Sequence, residues 1–197
     1  MPLLKVCGIT SAAFAVGAAE RGVNYLGFVF AAASPRRVTP DQARAIVAET
    51  RRSVPCLPRF VGVFVEHSAD EIADIASFVG LDVVQLHGDY GDDAVVAIRA
   101  RGYEVWRLCN AARGCDVKAA DAILLDGRRG SESHRADWSL VEPLRRNGCR
   151  VVLAGGISAD NIASAIATGA DIIDVNSSIE VAPGKKSLVL LDGLLAI

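Results

Sequence analysis

Gly169-Ala-Asp-Ile-Ile-Asp-Val-Asn-Ser177 repeats, in outline, two earlier stretches, Gly22-Val-Asn-Tyr-Leu-Gly-Phe-Val-Phe30 and Gly80-Leu-Asp-Val-Val-Gln-Leu-His-Gly88. In each, a glycine stands where a helix must stop, a polar residue follows two positions later, and a short apolar run leads to small or polar groups. Glycine fits the left-handed backbone that ends a helix. A run of four to six β-branched or aromatic residues bounded by turn residues reads as a strand. The recurrence predicts one βα unit used many times.

Working outward, the same reading places strands at Leu3–Val6, Tyr25–Phe30, Phe60–Val65, Val83–Leu86, Glu104–Leu108, Ala122–Leu125, Val151–Ala154 and Ile172–Val175. Helices are predicted over Ala12–Arg21, Asp41–Arg51, Ala69–Val79, Asp92–Arg101, Leu140–Arg146 and Asp160–Ala167. Pro40 suits a first helical turn, and Ser68 and Ser158 are candidate N-caps. Cys115–Ala120 is long enough only for a turn or two. Strands alternating with helices imply a parallel sheet. Eight units fit an α/β fold of one domain, 1–197, closed as a (β/α)8 TIM barrel. An open doubly wound sheet would favour GxGxxG after the first strand, and Cys7-Gly-Ile-Thr10 does not supply it.

The chain has 197 residues, 51% of them hydrophobic and 22% charged, with a net charge of -2. It is long enough to bury a core without staples, and it lacks the basic excess that holds a nucleic-acid backbone. The five cysteines are odd in number and form no CxxC pair, and the three histidines sit near none of them. That argues against a disulfide framework and a structural zinc site, and points to a reducing, cytoplasmic setting. The first residues lack a signal-peptide pattern. No apolar run approaches the ~18 residues of a membrane span. Leu188–Ile197 is short and broken by Asp192, and reads as a helix packed on the barrel or as an interface.

Barrel sites lie at the carboxyl ends of the strands. Side chains of a strand alternate between the two faces of the sheet. Lys5 and Cys7 share one face of the first strand, and Gln85 and His87 share one of the fourth. Asp126 follows the sixth, and Asp174 lies near the end of the eighth. Polar groups thus gather at one rim, where burial without partners or water would cost several kcal/mol.

Nine motifs then occur in order: Lys5-Val-Cys-Gly-Ile-Thr10, Gly27-Phe-Val-Phe30, Ser34-Pro-Arg36, Val61-Gly-Val-Phe-Val65, Val84-Gln-Leu-His-Gly-Asp89, Leu124-Leu-Asp126, Asp137-Trp138, Leu153-Ala-Gly-Gly156 and Pro183-Gly-Lys-Lys186. Together they resemble the phosphoribosylanthranilate isomerases of tryptophan biosynthesis over nearly the whole chain. The resemblance implies a (β/α)8 barrel and an Amadori rearrangement of a small phosphorylated substrate. It implies no cofactor, no metal, no nucleic-acid or membrane partner, and a monomer or homodimer. It assigns Asp126 as general acid and Cys7 as general base, and Arg36 to the anthranilate carboxylate. His87 and Asp174 orient substrate. Gly155, Gly156, Asn176, Ser177 and Ser178 take the phosphate, where paired glycines and a helix start offer backbone N–H groups. Cys7 then needs a cationic neighbour to ionise, with Lys5 the candidate. Asp126 needs a setting that keeps its proton. The other four cysteines read as ordinary thiols.

Three features depart from the family pattern. The usual Gly-rich lid is replaced by Gly127-Arg-Arg-Gly-Ser-Glu-Ser-His-Arg-Ala136. Ser178 stands where glycine is usual, and Tyr90 stands where an acid is. These leave as alternatives a phosphosugar-binding barrel of reduced or altered activity and a protein that binds without turnover. A metal-dependent epimerase is the third, although the histidines are scattered.

Overall fold

In a computed structural model, residues 1–109, 119–127 and 137–197 are described. The strands are β1 (Leu3–Cys7), β2 (Tyr25–Val29), β3 (Arg59–Phe64), β4 (Val83–Leu86), β5 (Glu104–Leu108), β6 (Ala122–Leu125), β7 (Val151–Leu153) and β8 (Ile172–Val175). They run parallel and close into a barrel in chain order, β8 returning to β1. Outside them lie α1 (Ala12–Glu20), α2 (Pro40–Ser53), α3 (Ala69–Val79), α4 (Asp92–Arg99), α5 (Val141–Arg146), α6 (Ile162–Ala167) and α7 (Leu188–Leu195). A hairpin follows β8, with β9 (Glu180–Ala182) antiparallel to β10 (Lys185–Lys186).

The repeat has a physical basis. Asn24, Asp82, Asp121 and Asp171 each precede an even-numbered strand. Their side chains accept the N–H of Leu4, Phe60, Val105 and Val151, respectively, at the start of the odd-numbered strand beside it, at 2.7–2.8 Å. Four identical contacts thus satisfy donors at the barrel floor that would otherwise go unpaired, and the repeating unit is two βα pairs. Gly22, Gly80 and Gly169 all adopt positive φ at the ends of helices, as their position requires.

Strand alternation divides the core. One set of side chains, including Leu26, Phe60, Val84, Leu125, Leu153 and Val175, packs outward under the helices. The other, including Tyr25, Val61, Trp106, Leu124, Val152 and Ile172, fills the barrel. At its floor, Tyr25 meets Trp106 edge-on at 5.0 Å. Glu104 accepts from Trp106 Nε1 and from Arg150, at 2.6 and 3.0 Å. Among the described residues these side chains fill the barrel floor, and the rim above is where barrel sites lie.

Helix starts follow local chemistry. Ser68 and Glu71 form a reciprocal capping box at α3, and Thr39 with Gln42 does so at α2, with Pro40 in the first turn. Ser158 is a correction: α6 starts at Ile162 with Asn161 as its cap residue. The Asn161 side chain accepts the Ser158 N–H, so Ser158 donates into the turn instead of capping the helix. The C-terminal segment is a helix, seated through Leu191 and Leu194 and tied to α1 by Arg21 with Asp192. Most of Cys115–Ala120 lies outside the described residues, as does the segment expected to cover the site, 127–136, apart from Gly127.

Candidate active site at the barrel rim

Cys7 ends β1 with its side chain in the barrel mouth, against Val29, Ala31 and Val63. Gly27 lies beside it in register on β2. A Cβ at Gly27 would sit 3.1 Å from Cys7 Sγ and 3.3 Å from Lys5 Cε, so the glycine makes room for both. Lys5, one layer below, is fully buried and donates to Asp174 Oδ2 at 2.5 Å. Register dictates that pairing, since Lys5 and Asp174 are direct partners across the β1–β8 seam.

Burial pushes the Cys7 thiol above its ordinary pKa, and Lys5 only partly opposes this. Lys5, the candidate cation for Cys7, does favour the thiolate, but its ammonium is shared with Asp174 and desolvation is the larger effect. Burial works against the Lys5 ammonium too, but Asp174 and then Cys7 outweigh it and hold its pKa high. Burial raises the Asp174 carboxyl, with Lys5 opposing and Asp126 adding repulsion. Asp174 therefore lies within electrostatic reach of both Cys7 and Asp126.

Asp126 leaves β6 at the rim, half-buried, with Oδ2 3.5 Å from His87 Nε2. A Cβ on Gly155 would come within 2.8 Å of Asp126 Oδ1 and 2.4 Å of the Gly127 nitrogen. Only glycine fits there, and its φ is +85°. Gly156 follows with φ +66°. Among the described residues, the N–H groups of Gly155, Gly156 and Asn176 make no backbone hydrogen bond. Asn176 ends β8 and leads into a 3-10 turn, Ser177–Ile179. The Ser178 hydroxyl is buried there without a hydrogen-bond partner among the described residues. The same holds for Asp174 Oδ1.

Arg36 is not a solvated surface side chain. Its Nε and Nη2 bind Glu180 at 2.9 and 2.7 Å, while neighbouring Arg37 is exposed. All ten sequence-derived site residues thus stand on loops or strand ends of one rim: Cys7, Arg36, His87, Asp126, Gly155, Gly156, Asp174, Asn176, Ser177 and Ser178.

The matching family model is N-(5'-phosphoribosyl)anthranilate isomerase, over residues 4–195. The chain belongs to the phosphoribosylanthranilate isomerase family. It is 40% identical to the N-(5'-phosphoribosyl)anthranilate isomerase of Rubrobacter xylanophilus over 199 residues, 95% of this chain and 94% of the relative. It resembles the crystal structure of the Thermotoga maritima phosphoribosylanthranilate isomerase with a TM-score of 0.88 and 33% identity, over 99% of this chain and 97% of that one. A family structure in complex with reduced 1-(o-carboxyphenylamino)-1-deoxyribulose 5-phosphate matches at a TM-score of 0.85 and 33% identity, over 99% and 97% of the two chains.

Sequence reading missed two isomerase-fold residues at this rim, Glu180 and the role of Lys186. The signal was present in the hairpin Glu180-Val-Ala-Pro-Gly-Lys-Lys186, where a Pro-Gly turn has Glu180 on one side and Lys185 and Lys186 on the other. Cys109 is also corrected: it reads as an ordinary thiol but is disulfide-bonded, while Cys7, Cys56 and Cys149 are free. A disulfide is decided by geometry in space, and CxxC spacing is no requirement for one.

Proposed function

We propose that this chain isomerises N-(5-phosphoribosyl)anthranilate to 1-(2-carboxyphenylamino)-1-deoxyribulose 5-phosphate in tryptophan biosynthesis, with Asp126 as general acid and Cys7 as general base. Asp126 gives a proton to the ribose ring oxygen. The C1'–O bond breaks, and its electron pair stays on that oxygen as a hydroxyl, leaving a protonated Schiff base at C1'. Cys7 as thiolate removes the C2' proton. The C–H pair forms the C1'–C2' double bond, and the imine electrons return to nitrogen. The enolamine then tautomerises to the ketone. In that last step the C2' hydroxyl loses its proton and C1' gains one, and a proton passes from the Cys7 thiol back to Asp126 to restore the enzyme, so no atom or electron is added over the cycle.

The observation that carries this reading is the convergence at one rim of a buried thiol and a carboxyl, both coupled to Asp174. Lys5 is the cation that favours the thiolate as it forms, and His87 stands next to the acid. Asp174 Oδ1 is available to a ribose hydroxyl. The N–H groups of Gly155, Gly156 and Asn176, with the Ser178 hydroxyl, face no competing backbone acceptor and suit a phosphate. Arg36 suits the anthranilate carboxylate. The alternative of altered activity rests chiefly on the sequence of the segment after β6, and the family match over residues 4–195 favours the isomerase.

The test follows loss of anthranilate-linked substrate fluorescence. Cys7→Ser and Asp126→Asn should each lower kcat by roughly 100-fold or more, the usual worth of a positioned acid or base. If both variants keep kcat within about threefold, these roles are wrong.

A further inference from the structure

Arg36 is enclosed together with two charged side chains of the hairpin, Glu180 and Lys186. Side-chain exposure is 12% for Arg36, 4% for Glu180 and 1% for Lys186. Enclosing ions is costly, and an apolar packing of the same volume is often at least as stable. Here nearly every polar atom of the two hairpin residues is used. Glu180 Oε1 accepts from Arg36 Nε at 2.9 Å, Lys186 Nζ at 2.7 Å and the Gly184 N–H at 3.3 Å, and Oε2 accepts from Arg36 Nη2 at 2.7 Å. Lys186 Nζ spends its other two hydrogens on Asn176, on the backbone oxygen at 2.8 Å and Oδ1 at 2.7 Å.

The geometry has a direction. A guanidinium offers two edges for two-point contacts, and Glu180 takes the Nε/Nη2 edge. The Nη1/Nη2 edge remains for a second carboxylate. Lys186 in turn fixes both polar groups of the residue at which β8 breaks into the phosphate loop. The hairpin itself is pinned: Thr10 donates to the Gly184 carbonyl at 2.5 Å, and a Cβ on Gly184 would lie 3.2 Å from the Pro35 oxygen. Gly8 lets the two held side chains converge beside Cys7, since its Cβ would sit 2.7 Å from Arg36 Cδ and 3.0 Å from Asn176 Oδ1.

We propose that Glu180 and Lys186 are positioning residues that hold the two ends of the substrate site in register: Glu180 aims Arg36 at the substrate carboxylate, and Lys186 sets Asn176 and its loop for the phosphate. This rests on the isomerase reading and deepens it. Neither residue touches the reacting atoms: Glu180 acts on substrate affinity through Arg36, and Lys186 acts on phosphate affinity through Asn176 while its charge also favours the Cys7 thiolate. One hairpin thereby measures the span between carboxylate and phosphate, which selects for an anthranilate-sized aglycone.

The experiment compares wild type, Glu180→Gln, Lys186→Met and Arg36→Ala, and the Arg36→Ala/Glu180→Gln double variant, by steady-state kinetics, inhibition by inorganic phosphate and thermal melting. Glu180→Gln should raise KM about tenfold with kcat within about threefold, as loss of uniform binding does. In the Arg36→Ala background the same change should cost less than about twofold, because its target is gone. Lys186→Met should weaken phosphate inhibition about tenfold, whereas Glu180→Gln should move it less than about threefold. Glu180→Asp keeps the charge and withdraws the carboxylate by one methylene, so it should fold and still raise KM. An unchanged KM in both Glu180 variants overturns the proposal. So does a Glu180→Gln cost that persists in full without Arg36, which would mean it acts through the fold. Unchanged phosphate inhibition in Lys186→Met also overturns it. Wild-type turnover separates the two levels: if wild type does not isomerise the substrate, the isomerase reading fails. If it does and the variants match it, only the positioning role fails.

Discussion

Replacing Lys5 by Met removes half of an ion pair sealed inside the barrel. Lys5 has no exposed surface, and its ammonium lies 2.5 Å from Asp174 Oδ2. Met matches the length of the stem but leaves Asp174 enclosed with neither oxygen paired to the ammonium. Breaking one side of such a pair costs about 3–5 kcal/mol. In a chain of this length each kcal/mol moves Tm by about 2–4 °C, so Tm should fall by roughly 6–20 °C. The loss should also depend on pH. Burial already raises the Asp174 carboxyl, and Lys5 is the main group opposing it. Without Lys5, the folded variant holds the Asp174 proton to a pH further above the unfolded value of ~3.9. A folded pKa raised in this way stabilises below the unfolded value, and that stabilisation is lost as pH rises through the folded one. The variant's deficit against wild type should therefore be small in acid and grow toward neutrality. Urea unfolding of both proteins at about pH 5 and about pH 8 reads the difference. Lys5→Met/Asp174→Leu, which removes both charges, should recover most of the loss. A deficit of equal size at the two pH values, or a double variant no better than the single, would refute the reasoning.

Three further outcomes are expected. Because burial holds the Cys7 thiol above its ordinary value, kcat/KM should still be climbing at about pH 8.5, toward tenfold per unit on the acid side; a plateau from about pH 7 would contradict this. Gly8→Ala places an L side chain at φ +75° and drives its Cβ to 2.7 Å from Arg36 Cδ. Strain of roughly 1–2 kcal/mol should lower Tm by a few degrees, and the displaced guanidinium should raise KM; melting and steady-state kinetics together check both effects. Ser68→Ala removes the cap of α3. It should cost about 1 kcal/mol and about 2–4 °C in Tm while leaving kcat/KM unchanged, as a melt and one activity assay will show.

The barrel was legible in sequence because the information is local. Val83–Leu86, Ala122–Leu125 and Ile172–Val175 each follow a turn-forming Asp, Glu104–Leu108 follows soon after Gly102, and these four strands coincide with the observed ones. Phe30 and Val65 lie one residue past observed strands because a β-branched or aromatic residue can as well begin a loop. Parity found the shared face of Lys5 and Cys7, and register supplied the pairing with Asp174 that no local pattern contains. The thiol's surroundings were only half visible for the same reason. A neighbouring lysine is visible two residues away, but its prior commitment to a carboxylate 169 positions later is not. Glu180 showed only as a charge beside a Pro-Gly turn: its importance comes from enclosing Arg36, and enclosure is a property of packing.

That separation of 169 positions has a consequence for biosynthesis. Lys5 leaves the ribosome 169 residues ahead of its counterion. At about 5–20 residues per second the nascent strand β1 waits on the order of 10–30 s for the seam partner that neutralises it. During that interval the ammonium must stay hydrated, which keeps β1 from settling into a dry interior. Any early, half-built sheet is thereby held open until the eighth strand arrives to lock it.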